Sequence, residues 1–458
     1  MKPIPVIAIF DVGKTNKKLF LFDEHYHIVY EKTLQFTETV DEDGDPCENL
    51  EALTAWGRDS LKELIAIKEF DIVALNFSAY GASFVHIGED GKPVAPLYNY
   101  LKPFPEDLKK KFYDDYGGEI PVSMITASPV LGNLNSGMQL YRLKYKHPEV
   151  FAKIHYALHL PQYLSYLITN QAYSDITSIG CHTKLWNFQQ DNYHEWVLRE
   201  GIAEKLAPLY SSADVVAARA FWKDFKVGIG LHDSSAALIP YLACFSEPFV
   251  LISTGTWCIT LNPFNTHPLT ADELKQDCLC YMSYRGKPVK ASRLFAGNEH
   301  EIETKRLAKY FNTSNDHYKT VAYDENIITT LTGVKPAAPA HSALREIKFA
   351  ERNLADYKNY EVAYHRLILD IMWQQLASAK LVLQDDKVNR IFVDGGFSKN
   401  PIYMHLLAEA FPGMEVYAAS VAQATAVGAA LAIHKHWNSK PLPGDIIDLK
   451  FYAKPTIA

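Results

Sequence analysis

The stretch FVLISTGTWCITL, residues 249–261, repeats in outline what VIAIFDVGKTNKKLFLF, residues 6–22, does near the N-terminus. Each is an apolar, β-rich run, a turn with one glycine, and a second apolar run, so each predicts strand, tight turn, strand. Glycine has no Cβ to hold a ligand away, so backbone N–H groups in such a turn can close on phosphate oxygens. One such turn is an ordinary hairpin. Two, one near the start of each half of the chain, predict a nucleotide phosphate chain gripped from both sides.

A chain of 458 residues exceeds one hydrophobic core and predicts two domains with a cleft between them. With 48% hydrophobic and 22% charged residues, the composition is that of an ordered globular protein. The net charge of -7 is spread through the sequence without a basic stripe, which argues against nucleic acid as a partner. The apolar run before Asp11 is too short for a signal segment and no run of about twenty apolar residues occurs, so a cytoplasmic protein without membrane contact is expected. The six cysteines are scattered and read as reduced thiols. Cys278-Leu-Cys280 is the only close pair and lacks further ligands at short spacing, so no zinc site is expected.

Apolar periodicity predicts helices over 49–67, 135–145, 159–168 and 360–383, and strands over 71–77, 390–394 and 415–417. Residues 82–130, with Pro93, Pro96, Pro103, Pro105 and Pro121 among them, predict irregular loops on the side where substrate is selected. GIGLHDSSAALIPYL, residues 228–242, predicts a glycine turn carrying His232 and Asp233, then a small-residue helix with Asp233 near its N-terminus. Gly395-Gly396-Phe397-Ser398 predicts a turn, Asn400-Pro401 a helix start, and 422–434 an Ala/Gly-rich helix; the tail after Trp437 is expected to be peripheral.

Asp11 ends a strand just before a glycine turn, where a carboxylate reaches a Mg²⁺ or its waters while the backbone holds phosphate. Lys14, Thr15 and Asn16 follow, placed for phosphate oxygens, although the spacing is not that of a Walker A loop. Gly395 and Gly396 offer a surface free of side chains for an adenine or ribose. Asp233 is the candidate general base, since phosphoryl transfer to an alcohol is helped by a carboxylate that orients the hydroxyl and takes its proton. No Gly-x-Ser-x-Gly elbow and no Gly-x-Gly-x-x-Gly turn is present, which excludes the commonest serine-hydrolase and dinucleotide-dehydrogenase readings.

Taken together, DVGKTN at 11–16, GLHDSSAAL at 230–238, STGTW at 253–257 and DGGFSKNP at 394–401 resemble the motif set of the FGGY carbohydrate kinases, in order and over nearly the whole chain. The resemblance implies an α/β fold of two RNase H-like ATPase domains, of the actin, hexokinase and Hsp70 type, around a central cleft. Residues 1–245 would form the sugar-binding domain, 246–437 the ATP-binding domain and 438–458 a tail. By that likeness Asp233 is the catalytic base, and Asp11 with Asp233 holds Mg²⁺. ATP meets Gly13, Lys14, Thr15, Asn16, Thr254, Gly255, Thr256, Gly395, Gly396, Phe397 and Asn400, and the sugar meets Tyr80, Gly81, His232, Asp233 and Ser234.

Within the family, His before the catalytic Asp and Gly-Thr-Trp in the second loop are similar to the rhamnulokinase and fuculokinase branch, which implies L-rhamnulose or L-fuculose as substrate. Two positions depart from that pattern: Lys14 stands where small hydroxyl residues are usual, and Ser78-Ala79-Tyr80-Gly81 stands where an acid opens the motif. A lost carboxylate changes hydroxyl recognition. A pentulose such as xylulose or ribulose therefore stays open as substrate, as do an actin- or Hsp70-like nucleotide switch as function and a homodimer as assembly.

Overall fold

The computed structural model describes residues 2–220, 222–333, 348–383 and 388–452. Both glycine hairpins seed a sheet. In the first, Ile4–Val12, Lys17–Asp23 and Ile28–Leu34 form an antiparallel meander, and Phe70–Ala79 runs parallel to Ile4–Val12 on its other flank. Lys223–Gly228 and Leu231–His232 continue parallel to Phe70–Ala79, with Val215–Ala220 as the antiparallel edge. The second sheet repeats this plan. Phe249–Thr254, Cys258–Asn262 and Pro288–Leu294 are antiparallel, with Cys278–Met282 outside them, while Arg390–Gly395 and Glu415–Ser420 run parallel on the other flank.

The central strands are continuous apolar runs because both faces are covered; Val6 to Phe10 are all buried. The helix Leu50–Ala66 makes the crossover in the first half, its start capped by Asn49, whose side chain accepts from Ala52 N–H. Tyr360–Val382 does the same in the second half, capped by Asn359. Two further helices, Asp233–Cys244 and Ala424–Ala432, cross at the centre. They approach so closely that a Cβ on Gly428 would overlap the carbonyl oxygen of Ala236. Asn76 of the first sheet donates a 2.8 Å hydrogen bond to Ala429 O. One buried cluster accordingly joins Ile7, Ile9 and Phe20 to Leu251, Phe392 and Ala426.

The region expected to be loops holds the helices Glu106–Asp115 and Glu119–Ile125. The first buries only Leu108, Phe112 and Tyr113 and carries Lys110–Asp114 and Lys111–Asp115 pairs on its outer face, too thin an apolar stripe to stand out in the sequence. The C-terminal segment is no separate tail: Asp448–Tyr452 pairs with Glu415–Ser420 as the edge strand of the second sheet, and residues 453–458 lie outside the described residues. Among the described residues no helix is long and apolar enough to cross a membrane.

Candidate active site

The strand Leu231–His232 ends with His232 at the N-cap, and Asp233 is the first residue of the helix it opens. Asp233 Oδ1 accepts from Ser234 N–H at 2.6 Å and from Ser234 Oγ at 3.3 Å. These donors and the helix N-terminus favour its charge, but burial opposes it and wins, pushing its pKa up to about 6. His232 Nε2 lies 3.3 Å from the same oxygen. Burial holds that imidazole down to about 4, so at neutral pH the contact joins a neutral ring to a carboxylate. Gly81 sits directly against the ring: a Cβ there would lie 2.5 Å from His232 Nε2.

Asp11 is in register with Ser78 of the neighbouring strand and accepts a 2.7 Å hydrogen bond from Thr425 Oγ1 at the start of the Ala424–Ala432 helix. Burial raises its pKa to about 6, and the negative charge of Asp233 adds to the rise while Lys18 opposes it. Two recessed carboxylates that disfavour one another's charge fit a shared hard cation, which would relieve both.

The hairpin Ser253–Trp257 is the wall between two cavities. One, of about 820 Å³, lies against Thr254, Gly255, Thr256, Gly297, His300, Gly396, Phe397 and Asn400. The other, of about 380 Å³, meets Ser253 and Trp257 from the far side of the same turn and holds Asp233, His232 and Ser234. A Cβ on Gly255 would meet nothing nearer than Trp257 O at 4.0 Å, so the larger cavity approaches the bare backbone there. Residues 6–239 match the description "FGGY family of carbohydrate kinases, N-terminal domain", and residues 246–441 match "Carbohydrate kinase FGGY, C-terminal domain". The chain belongs to the FGGY family of carbohydrate kinases.

Similarity to the rhamnulokinase of Halalkalibacterium halodurans is 24% identity over 273 residues, 54% of this FGGY chain and 52% of that protein. The chain thus spans about half the length of the curated relatives it matches. A carbohydrate kinase from Novosphingobium aromaticivorans has the same fold, with a TM-score of 0.77 at 22% identity over 99% of this chain and 95% of that one. So does the ligand-bound xylulose kinase of Lactobacillus acidophilus, with a TM-score of 0.77 at 16% identity over 98% and 94% of the two chains. The repeated sheets and their central cleft are the two-domain, actin- and hexokinase-like architecture of FGGY kinases.

Several FGGY motif residues make hydrogen bonds and ion pairs within the chain. The Gly13 amide is not free for phosphate: it donates to Asn16 O at 2.9 Å, and Gly255 N–H likewise donates to Trp257 O at 2.9 Å, each closing its own hairpin. Lys14 pairs with Glu38 at 2.7 Å, Thr15 is exposed, and Asn16 Oδ1 accepts from Gln35. Thr254 Oγ1 donates to Asp394 O and accepts from Phe397 N–H, so it fastens the 395–397 turn. Gly395 faces Thr254 O and is outside the larger cavity's lining, whereas Gly396 belongs to it. Asn400 caps the helix Pro401–Ala410 through Oδ1 and donates to Tyr364 through Nδ2. Tyr80 is buried, its hydroxyl on Glu48 at 3.2 Å, and does not line the smaller cavity.

Sequence reasoning missed the residues that complete the smaller cavity. Cys181 and His182 line it from the first half of the chain, and Trp257, Tyr281 and Arg293 from the second, so it is built by both halves rather than by the N-terminal one alone. Arg293 lies over the Trp257 ring, 5.3 Å from its centre, and pairs with Asp277. Nothing in the spacing of these residues announces the site, because tertiary contacts alone bring them together.

Proposed function

We propose that the protein is an ATP- and Mg²⁺-dependent ketose kinase, with a 6-deoxyketose such as L-rhamnulose or L-fuculose as acceptor. The observation that carries this reading is the shared wall: one turn, Ser253–Trp257, borders a cavity large enough for a nucleoside on one side and a monosaccharide-sized cavity holding Asp233 on the other. Residues 1–245 would supply the base and most of the polar sugar contacts, and 246–437 the nucleotide site. Leu251, Ile259 and Leu279 give the smaller cavity an apolar side, which suits a methyl group better than a hydroxyl.

In this reading Asp233 orients the attacking hydroxyl and accepts its proton, a role worth about 10²–10⁴-fold in rate. His232 and Ser234 fix the carboxylate and can bond neighbouring sugar hydroxyls. With the Gly13 and Gly255 amides committed, the phosphate donors of the two turns are the backbone amides beyond them, at Lys14–Thr15 and Thr256, together with the Thr256 hydroxyl. Asp11 and Asp233 would hold Mg²⁺, which when bound neutralises charge on the transferring phosphoryl oxygens. Closure of the two halves would exclude the water that competes with the sugar.

The test is ADP release from ATP across 6-deoxyketoses, pentuloses, polyols and glycerol against the sugar-free rate. A 6-deoxyketose is expected to give the highest kcat/KM. ATP hydrolysis that no sugar stimulates would replace this reading with a nucleotide switch.

A further inference from the structure

Beside His232, the smaller cavity contains two side chains, Cys181 and His182, to which the proposed phosphoryl transfer gives no role. Cys181 Sγ, a nitrogen of His182 and one of His232 all lie within 4.8 Å of one another. Cys181 Sγ is 3.6 Å from His232 Nε2, and Asp233 Oδ1 is 3.3 Å from that same nitrogen. For zinc bonded at about 2.3 Å to sulfur and about 2.05 Å to nitrogen, a tetrahedron has S···N edges of about 3.6 Å. The measured Cys181–His232 separation matches the S···N edge, while Asp233 stands beside the group without belonging to it.

We propose that Cys181, His182 and His232 form a three-ligand binding site, completed by solvent, for a thiophilic divalent cation of the zinc type. The surroundings prepare it. His182 Nδ1 lies 3.2 Å from Leu134 O, the partner that fixes the ring and leaves Nε2 to the metal. His232 Nδ1 is buried without a partner among the described residues, so no neighbour on that side fixes where the ring proton sits. The Cys181 turn is held in place because Thr177 Oγ1 accepts from His232 N–H at 2.9 Å and Gly180 is packed against Met282.

Binding is a substitution: the S–H bond of Cys181 breaks, its proton leaves to bulk water, and a sulfur–metal bond forms. Mg²⁺ demands oxygen ligands in octahedral array and does not compete for a site with sulfur and two nitrogens. The binding itself is independent of the proposed function. Its consequence rests on that function: an ion on His232 Nε2 displaces that nitrogen's contact with Asp233 and occupies the cavity proposed for the sugar, so micromolar zinc would switch off turnover.

The experiment is a Co²⁺ titration of the purified full-length protein followed by visible and near-ultraviolet absorption. One equivalent is expected to give the d–d bands of tetrahedral cobalt with a sulfur-to-cobalt charge-transfer band. Zn²⁺ should abolish the spectrum and excess Mg²⁺ should not. Cys181→Ser should lose the charge-transfer band, and both it and His182→Ala should weaken binding at least about tenfold, with unchanged circular dichroism in the absence of metal. In parallel, Zn²⁺ should inhibit wild-type turnover reversibly by chelator and inhibit Cys181→Ser at least tenfold less well. A wild-type protein that gives no tetrahedral spectrum, or a charge-transfer band that survives in Cys181→Ser, would overturn the proposal whatever the kinase assay reports.

Discussion

Thr425 donates a 2.7 Å hydrogen bond to Asp11 across 414 residues of sequence, joining the last central helix of the second half to the first strand of the chain. The bond holds the Asp11 pKa down against burial and the charge of Asp233, which together leave it near 6. With Asp233 also near 6, kcat/KM should fall as pH drops through about 6. Thr425→Val removes the donor at nearly constant volume, so its acidic limb should lie at higher pH while the plateau changes only a few-fold. A pH–rate profile superimposable on the wild type would show that the bond has no part in setting the charge of Asp11.

The same shift has a stability consequence of definite sign. The folded pKa of Asp233 is raised, so folded protein binds its proton more tightly than unfolded chain. The contribution to stability is complete below the unfolded pKa, near 4, and is lost as pH rises through about 6. Asp233→Asn should therefore unfold at higher urea than wild type at pH 7.5 without added metal, and the gain should vanish at pH 4. A gain of equal size at both pH values would mean that charge burial is not its cause.

Gly81 owes its identity to one neighbour: a Cβ there would lie 2.5 Å from His232 Nε2. Gly81→Ala should swing the imidazole out of place and raise KM for the sugar roughly tenfold or more, an energetic cost of at least about 1.4 kcal/mol. Nucleotide affinity, read by equilibrium titration with ADP, should stay within about twofold. Equal losses for sugar and nucleotide would point to general unfolding instead.

Outside the lining of both cavities, Lys102 Nζ is held by Asp41, Asp43 and Asp45 at 2.6, 2.8 and 2.9 Å, with its side chain 5% exposed. Lys102→Met leaves the buried Asp41 carboxylate without its cation and should cost roughly 3 kcal/mol in urea unfolding at pH 7. Hydrogen bonding to Lys102 depresses the Asp43 pKa, so this contribution is present above the unfolded carboxylate pKa and lost in acid. The difference between variant and wild type should accordingly shrink as pH falls below about 4.

The apolar runs and glycine turns were enough to locate both hairpins and the parallel strands beside them, because strands covered on both faces leave an unbroken hydrophobic signature. Asp233 was legible for the same local reason: a His-Asp pair ahead of a small-residue helix can only stand at its N-terminus. What failed to show was whatever depends on partners distant in sequence. The helix Ala296–Tyr310 buries Glu303 and Thr304 beside Leu307, so its inward face has no apolar period to read, yet its first turn packs Gly297 against Gly255 O. The Lys14–Glu38 pair was not legible because the two residues lie 24 apart. The bonds by which the Gly13 and Gly255 amides close their hairpins were likewise not written in the composition.

The central claim is that Asp233 serves as base for an alcohol on one side of the Ser253–Trp257 turn while a nucleotide lies on the other. The most direct measurement is sugar-dependent ADP release by Asp233→Asn, using the best substrate of the wild type, paired with its nucleotide dissociation constant. The account predicts a loss of about 10²–10⁴-fold in kcat with nucleotide affinity unchanged. Turnover within a few-fold of wild type would contradict it.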